Sequence, residues 1–171
     1  MSIEYSVRVA TVDDLPAITE IQNHYILHTH ITFDVRPHNP DDRLQWFREH
    51  SGGGRYQMQV ACGAAGNILG YACTGRFRTK EAYDPTVEVS IACHPDCVAR
   101  GVGSSLYTAL FRALENQDIH RIVAGVAQPN PASNRLHERF GFRPIGLLTQ
   151  VGRKFGNYYD VLWMERPFGG N

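Results

Sequence analysis

The chain has 171 residues, of which 43% are hydrophobic, so it is long enough and apolar enough to bury one core. Seventeen lysine and arginine residues balance seventeen aspartate and glutamate residues, whereas a nucleic-acid-binding protein usually carries a basic surplus. No segment approaches the roughly 18 apolar residues of a membrane-spanning helix, and no signal peptide is recognisable. We therefore expect one domain over residues 1–171, located in the cytoplasm, with neither nucleic-acid nor membrane partners.

Apolar alternation, helical spacing and turn residues predict the secondary structure. In chain order we expect a strand at residues 5–9, a helix capped by Thr11 and Asp14, a helix opening at Asn39-Pro40, strands at 56–62, 68–77 and 86–93, a helix carrying Leu106, Leu110 and Leu114, a strand at 121–127, a helix at 133–140, and strands at 144–151 and 158–165. This order is not a regular βαβ alternation. It predicts an α/β fold whose mixed sheet has helices on both faces.

The most informative segment joins the strand at 86–93 to the next helix through Arg100-Gly101-Val102-Gly103. Glycines at a helix start let backbone N–H groups approach an anion, and the helix dipole favours negative charge there, which suits a phosphate or pyrophosphate. Two familiar phosphate-binding motifs do not match. Leu106 replaces the third glycine of a dinucleotide-binding motif, and the Gly-Lys-Ser/Thr of a P-loop is absent. A loop without a ligand is the alternative.

Cys93, His94 and Cys97 lie close together in the sequence and raise the question of a metal site. Zinc sites usually have two pairs of ligands, and a second pair is missing from the sequence. We therefore predict no metal. In a cytosolic chain, the four cysteines are expected to be free thiols.

Short motifs follow one another along the chain from about Val7 to about Arg166. They are Asn23-His24-Tyr25, Thr32-Phe33, Ala82-Tyr83, Thr86-Val87-Glu88, Gly101-Val102-Gly103-Ser104, Leu136-His137-Glu138 and Gly152-Arg153-Lys154-Phe155-Gly156. In order and spacing they resemble the phosphinothricin N-acetyltransferase branch of the GNAT acetyltransferase superfamily. One position departs from the family pattern, because Val98 stands where the glycine loop usually opens with glutamine or arginine.

The resemblance implies a GNAT fold, in which a mixed sheet of about seven strands is splayed near its middle and acetyl-coenzyme A lies in the split. It implies that Ile91, Ala92 and Cys93 present a strand edge to the pantetheine. It also implies that the pyrophosphate and the rest of the cofactor are held by Ala99, Arg100, Gly101, Val102, Gly103, Ser104, Asn130 and Ser133. The family is commonly dimeric, which implies a homodimer.

Acetyl transfer to an amine requires the neutral amine, and therefore a base that takes its proton. Glu88 lies in an otherwise apolar strand, where burial would raise its pKa, although a solvent-facing carboxylate is the alternative. The resemblance implies that Glu88 is this base and that transfer is direct, without a covalent enzyme intermediate. It further implies that His137 lies near the cofactor sulfur, where it relays a proton or orients the amine.

Phe33, Arg78, Lys80 and Tyr83 are the candidates for binding the acceptor. The resemblance implies that Phe33 covers the acceptor pocket. Arg78 and Lys80 offer two cations to an acidic acceptor, although a solvated basic loop is the alternative. The resemblance implies acceptors such as phosphinothricin, methionine sulfoximine or methionine sulfone. A peptide or polyamine acceptor, or a non-catalytic module that binds acetyl-coenzyme A, are the competing hypotheses.

Overall fold

The computed structural model describes residues 4–169, which form one seven-stranded sheet flanked by four helices. The strands are β1 (Tyr5–Val9), β2 (Met58–Gly63), β3 (Ile68–Arg76), β4 (Thr86–Cys93), β5 (Arg121–Ala127), β6 (Arg143–Lys154) and β7 (Asn157–Pro167), and the helices are α1 (Leu15–His28), α2 (Leu44–Ser51), α3 (Val102–Leu114) and α4 (Pro131–Arg139). The strand order is β1-β2-β3-β4-β5-β7-β6. The β4–β5 pair is parallel and the other pairs are antiparallel, which confirms the predicted mixed sheet.

The two faces of the sheet carry separate cores, because successive side chains of a strand point to opposite faces. On one face, Leu106 and Leu110 of α3 pack with Ala72 of β3. On the other face, Ile18 of α1 packs with Tyr71, the residue that precedes Ala72 in β3. Helices therefore cover both faces, as the order of elements predicted. Within residues 4–169, no helix is long and apolar enough to cross a membrane.

Two elements begin later than the sequence predicted. Strand β2 begins at Met58 rather than at residue 56, because the backbone N–H and C=O of Tyr56 are bonded to Gly53 in a tight turn. Pro40 was expected to be the first residue of the second helix. It instead precedes a turn of 3₁₀ helix, and α2 itself begins at Leu44.

The C-terminal part also differs at its boundaries. Helix α4 begins at Pro131 rather than at residue 133, because the Asn130 side chain caps it and accepts a hydrogen bond from the Ser133 N–H at 3.2 Å. The last two strands are longer than predicted and pair as far as Lys154 with Asn157. The long hairpin β6–β7 brings Lys154, near its tip, within hydrogen-bond distance of the Tyr25 and Thr32 carbonyls.

Asp14 joins the first strand to the first helix. Its buried carboxylate accepts two hydrogen bonds from the Arg8 guanidinium, at 2.7 and 2.8 Å, and one from the Thr11 N–H at 2.8 Å. Burial is the strongest single influence and favours the neutral acid, but the hydrogen bonds from Arg8 and Thr11 together lower the pKa of Asp14. The predicted pairing of Thr11 with Asp14 thus starts the turn that leads into α1.

Replacing Asp14 with asparagine should lower the free energy of unfolding at pH 7 by about 1.5–3 kcal/mol, the range for hydrogen bonds to a charged group. Because the pKa of Asp14 is lower in the folded than in the unfolded state, its contribution is present above the unfolded pKa of about 3.9 and is lost as the pH falls through the folded pKa. The free energies of unfolding of wild type and Asp14→Asn, measured in urea, should therefore become equal in acid. The exposed neighbour offers a control, Asp13→Asn, which should behave as wild type. If the difference in the free energy of unfolding did not become smaller in acid, this account of Asp14 would be wrong.

Candidate active site

Strands β4 and β5 separate after three residue pairs. The paired stretch runs from Thr86 with Arg121 to Glu88 with Val123. Beyond Glu88, β4 continues to Cys93 with β3 as its strand partner, while β5 continues with β7 as its partner. The sheet is therefore open between β4 and β5, and a cavity of about 460 Å³ is lined by residues of both strands.

The residues that the sequence analysis proposed for a site fall into two groups around this cavity. One group lines the cavity and consists of Phe33, Glu88, Ile91, Ala92, Asn130, Ser133 and His137. The other group is not part of the lining and consists of Cys93, Arg78, Lys80, Tyr83 and the glycine loop at residues 99–104. The proposed base and the proposed cofactor strand thus share one cavity, whereas the proposed acceptor-binding cations do not line it.

Glu88 lies where the two strands begin to separate. Its side chain is half-buried, and burial raises the pKa of its carboxyl group, an effect that the positive charge of Arg78 partly offsets. A carboxyl group with a raised pKa is a stronger base than an ordinary carboxylate. Glu88 is therefore a stronger base than an exposed glutamate.

His50 of α2 lies beside Glu88, which the sequence analysis did not foresee. Gly75 of β3 is directly opposite Glu88, so the two residues point to the same face of the sheet. A Cβ atom added at Gly75 would lie 2.6 Å from His50 Nε2, so the imidazole occupies the space of the missing side chain. His50 Nδ1 donates to the Trp46 carbonyl at 2.8 Å, and burial lowers the pKa of His50. A neutral imidazole therefore lies next to the proposed base.

His137 is buried in the cavity wall, and the protein bonds both of its ring nitrogens. Nδ1 lies 2.8 Å from the Ser133 carbonyl, which can only accept, so Nδ1 carries the proton. Nε2 then accepts from the Tyr107 hydroxyl at 2.8 Å. Burial lowers the pKa of His137, which favours this neutral form. The hydrogen bonds hold the ring in one orientation.

The glycine loop ends at a helix start without a side-chain cap. Gly101 is the N-cap residue of α3 and has a φ of 83°, a conformation that favours glycine. Because Gly101 has no side chain, the first N–H groups of α3 are open to an anion. Val98 is 76% exposed, so the residue that departs from the family pattern points into solvent.

The start of α3 is packed against α4, the other helix next to the split. A Cβ atom added at Gly103 would lie 3.3 Å from Leu136 Cδ2, so glycine permits this close approach. Asn130 and Ser133 lie at the start of α4 and line the cavity. The Arg139 guanidinium also donates to Ser104 Oγ at 3.2 Å, so the start of α3 packs against the C-terminal half of α4.

The hairpin β6–β7 supports the loop that carries Phe33. The Lys154 side chain is only 3% exposed, and its Nζ donates to the carbonyls of Thr32 at 2.8 Å and Tyr25 at 3.4 Å. The Phe33 ring rests on Gly152, where an added Cβ atom would overlap Phe33 Cε2. Gly152 and Lys154 belong to a motif that the sequence analysis noted without assigning a role, and both shape the cavity wall.

One face of α2 also lines the cavity and was missed from the sequence. Arg43, directly before α2, and Trp46 and His50 within it all line the cavity. Their spacing of three and four residues is that of one helix face. This spacing was the signal available in the sequence, but no functional residue was predicted on this helix.

The loop between β3 and β4 places Arg78, Lys80 and Tyr83 at the surface. The Arg78 guanidinium lies 4.3 Å from the Phe77 ring centroid and 5.9 Å from that of Trp163, which lines the cavity. Tyr83 packs edge-on against Phe77, with ring centroids 5.8 Å apart. Arg78 and Tyr83 thus lie beside the cavity through Phe77 and Trp163, and their role in binding an acceptor stays a prediction.

Residues 7–163 match a family model described as an acetyltransferase (GNAT) domain. The split sheet, the helix that starts at glycine and the half-buried carboxyl group at the split agree with that class. The chain therefore has the fold of a GNAT acetyltransferase, an acyltransferase enzyme.

Similar proteins narrow the class. A phosphinothricin N-acetyltransferase of Streptomyces coelicolor is 48% identical, with 96% of each chain covered. An L-methionine sulfoximine/L-methionine sulfone acetyltransferase of Pseudomonas aeruginosa is 38% identical over 94% of this chain and 92% of its own. A phosphinothricin acetyltransferase of Sinorhizobium meliloti, solved in complex with acetyl-coenzyme A, has a TM-score of 0.91 at 30% identity, with 96% of this chain and 89% of that chain covered. The chain belongs to the phosphinothricin N-acetyltransferase branch of the GNAT family.

Replacing Gly152 with alanine should displace the Phe33 ring, because the new methyl group would overlap it. We expect the KM for the amine acceptor to rise several-fold, with a smaller effect on the affinity for the acyl donor. Gly146→Ala in the same strand is the matched control, because an added Cβ meets nothing within 4 Å there. Steady-state kinetics of both variants test this. Equal KM values in the two variants would show that the position of Phe33 does not affect the acceptor.

Proposed function

We propose that the chain transfers the acetyl group of acetyl-coenzyme A to the free amine of a small amino-acid-like acceptor, of the phosphinothricin, methionine sulfoximine or methionine sulfone type. The observation that carries this proposal is Glu88, a carboxyl group with a raised pKa at the split of the sheet, inside a cavity of about 460 Å³. The names of the similar enzymes support the choice of donor and acceptor. We further propose that residues 1–171 form one such domain and that it acts in the cytoplasm.

Two features of the structure suit the donor. From Val89 onward, the edge of β4 that faces β5 has no strand partner among the described residues, so its N–H and C=O groups can bind the pantetheine next to Ile91 and Ala92. The Cys93 carbonyl already accepts a hydrogen bond from the Tyr25 hydroxyl at 2.7 Å, so it is less available as an acceptor for the pantetheine. The uncapped start of α3, at residues 99–104, would bind the pyrophosphate, and Asn130 and Ser133 would lie beside the cofactor.

In the proposed chemistry, Glu88 accepts the proton that the acceptor's ammonium group must lose. The amine nitrogen would then bond directly to the acetyl carbon as the bond from that carbon to sulfur breaks. Coenzyme A would leave as the thiolate, which takes up the second proton that the amine nitrogen loses, and no residue becomes acetylated. His137 would position the reacting groups by contact with its neutral ring, because both of its nitrogens already bond to Tyr107 and Ser133. This arrangement favours orientation over proton relay, the other role considered for His137.

Phe33 would cover the acceptor, and Arg78, Lys80 and Tyr83 would attract it at the mouth of the cavity. Phe33 lines the cavity, which supports its role directly. Arg78 lies beside Trp163 of the lining, which supports a contact near the opening. For Lys80, the support is only its place in the same exposed loop.

We also propose that the enzyme is a homodimer. Apolar side chains are exposed along the β6–β7 hairpin, namely Ile145, Leu147, Leu148, Val151, Phe155 and Tyr158. Exposed apolar side chains that are concentrated on one hairpin favour an interaction site there. A second copy of the chain would cover it.

A panel of amines tests the proposed acceptor class. We expect thiol release from acetyl-coenzyme A with phosphinothricin, methionine sulfoximine and methionine sulfone, and much slower release with polyamines and peptides. The reason is that the cavity is small and lies among cationic side chains. Faster acetylation of a polyamine or a peptide would replace the proposed acceptor, and thiol release with none of the amines would favour a non-catalytic binding module.

Replacing Glu88 with glutamine keeps the shape of the side chain and removes its basicity. We expect kcat to fall by about 10²–10⁴, as for loss of a general base, with acetyl-coenzyme A still bound. In the wild type, kcat should fall as the pH drops through the raised pKa of Glu88. The exposed Glu115 provides a control, Glu115→Gln, which should retain activity. A Glu88→Gln variant with near-wild-type kcat would remove Glu88 from the mechanism.

A further inference from the structure

Arg43 is a buried cation that the proposed chemistry leaves without a role. It is 9% exposed, lies directly before α2 and lines the same cavity as Glu88. Its guanidinium stacks on Trp46 at 3.8 Å from the ring centroid, and its NH2 group donates to Gln22 Oε1 at 2.7 Å. These two contacts hold the side chain in one position.

Arg43 has no ion-pair partner within the described residues, although the negative charge of Asp34 attracts it from beyond ion-pair distance. None of the ion pairs found in residues 4–169 includes Arg43, and its buried Nε has no hydrogen-bond partner. Asp34 also lines the cavity, but its carboxylate is exposed and lies 3.4 Å from His38. Burial lowers the pKa of Arg43, which reflects the free-energy cost of keeping this charge away from water. A buried, unpaired guanidinium favours an anion inside the cavity.

The position of Arg43 distinguishes it from the other candidate cations. Arg78 and Lys80 are exposed, and water screens their attraction for an anion. Arg43 is desolvated, and its planar guanidinium matches the two oxygens of a carboxylate. The three acceptors named above share one anionic group, the α-carboxylate next to the amine.

We propose that Arg43 binds the α-carboxylate of the acceptor inside the cavity and thereby selects amino acids over amines that lack this group. This inference rests on the proposed function, because it assigns a recognition residue to the same site. The fixed guanidinium would also limit how the acceptor can turn, so that its amine faces Glu88. Arg43 is thus a specificity residue rather than a catalytic one.

The test combines a change in the protein with a change in the acceptor. Methionine sulfone carries the carboxylate as its only acidic group, and its carboxamide keeps the amine while losing that charge. For wild type, Arg43→Met and Arg43→Lys, kcat and KM would be measured with both compounds. Arg48→Met, an exposed arginine of α2, is the matched control.

We expect Arg43→Met to raise the KM for methionine sulfone by about ten- to hundredfold, the loss typical of a hydrogen bond to a charged group. The carboxamide should bind wild type and Arg43→Met equally, because it offers no carboxylate. Arg43→Lys should fall between wild type and Arg43→Met, and Arg48→Met should match wild type. If Arg43→Met raised the KM for both compounds equally, the inference would be overturned and Arg43 would be a structural residue.

Binding measurements separate this inference from the proposed function. Calorimetric titration of methionine sulfone into wild type and into each folded Arg43 variant needs no turnover. Weaker binding to the variants supports the inference even if wild type acetylates neither compound, a result that would refute the proposed function alone. The inference about Arg43 would be overturned if methionine sulfone bound equally to wild type and to Arg43→Lys, or if it did not bind to wild type. If Arg43→Met fails to fold, Arg43→Lys, which keeps the positive charge, is the variant that tests the inference.

Discussion

The separation of β4 from β5 is the constraint on which the rest of the site depends. Each strand keeps its other neighbour, β3 for β4 and β7 for β5, so the sheet stays continuous while its middle opens. The opening exposes backbone groups that a regular sheet would bond internally, and such groups need a partner. It also creates the cavity in which Glu88 is half-buried at the point of separation. One change in strand pairing thus leaves backbone groups of β4 free to bind a ligand and raises the pKa of the Glu88 carboxyl group.

The walls of the opening are built from polar side chains that bond mainly to backbone carbonyls. His137 bonds to Ser133, Lys154 to Thr32 and His50 to Trp46. Backbone acceptors add no net charge, so these side chains are held in place without adding carboxylates to the cavity. Asp34, Arg43 and Glu88 are the charged side chains that line the cavity, and we propose that Glu88 meets the acceptor's amine and Arg43 its carboxylate. An acceptor that carries both groups on neighbouring atoms fits that pair.

Much of the architecture was predictable because its signals are local. Apolar periodicity located the strands and helices, and the Thr11–Asp14 pair marked the first helix start. Gly101 was read as a helix start next to an anion, and its φ of 83° agrees with that role. The errors were also local. Helix α4 begins at Pro131 rather than at residue 133 because Asn130 caps it, and the sequence alone does not rank neighbouring polar residues as caps.

By itself, the sequence determined the mixed α/β order, the glycine-started helix after β4, the family and the candidate base Glu88. Only the tertiary structure decided which buried groups face the cavity. Lys154 supports Thr32, which is 122 residues earlier in the chain, and Arg43 comes to share a cavity with Glu88 through the packing of α2 on the sheet. Periodicity and glycine conformation are properties of adjacent residues. Burial and charge pairing are set by residues distant in sequence, so they are established only when the chain has folded.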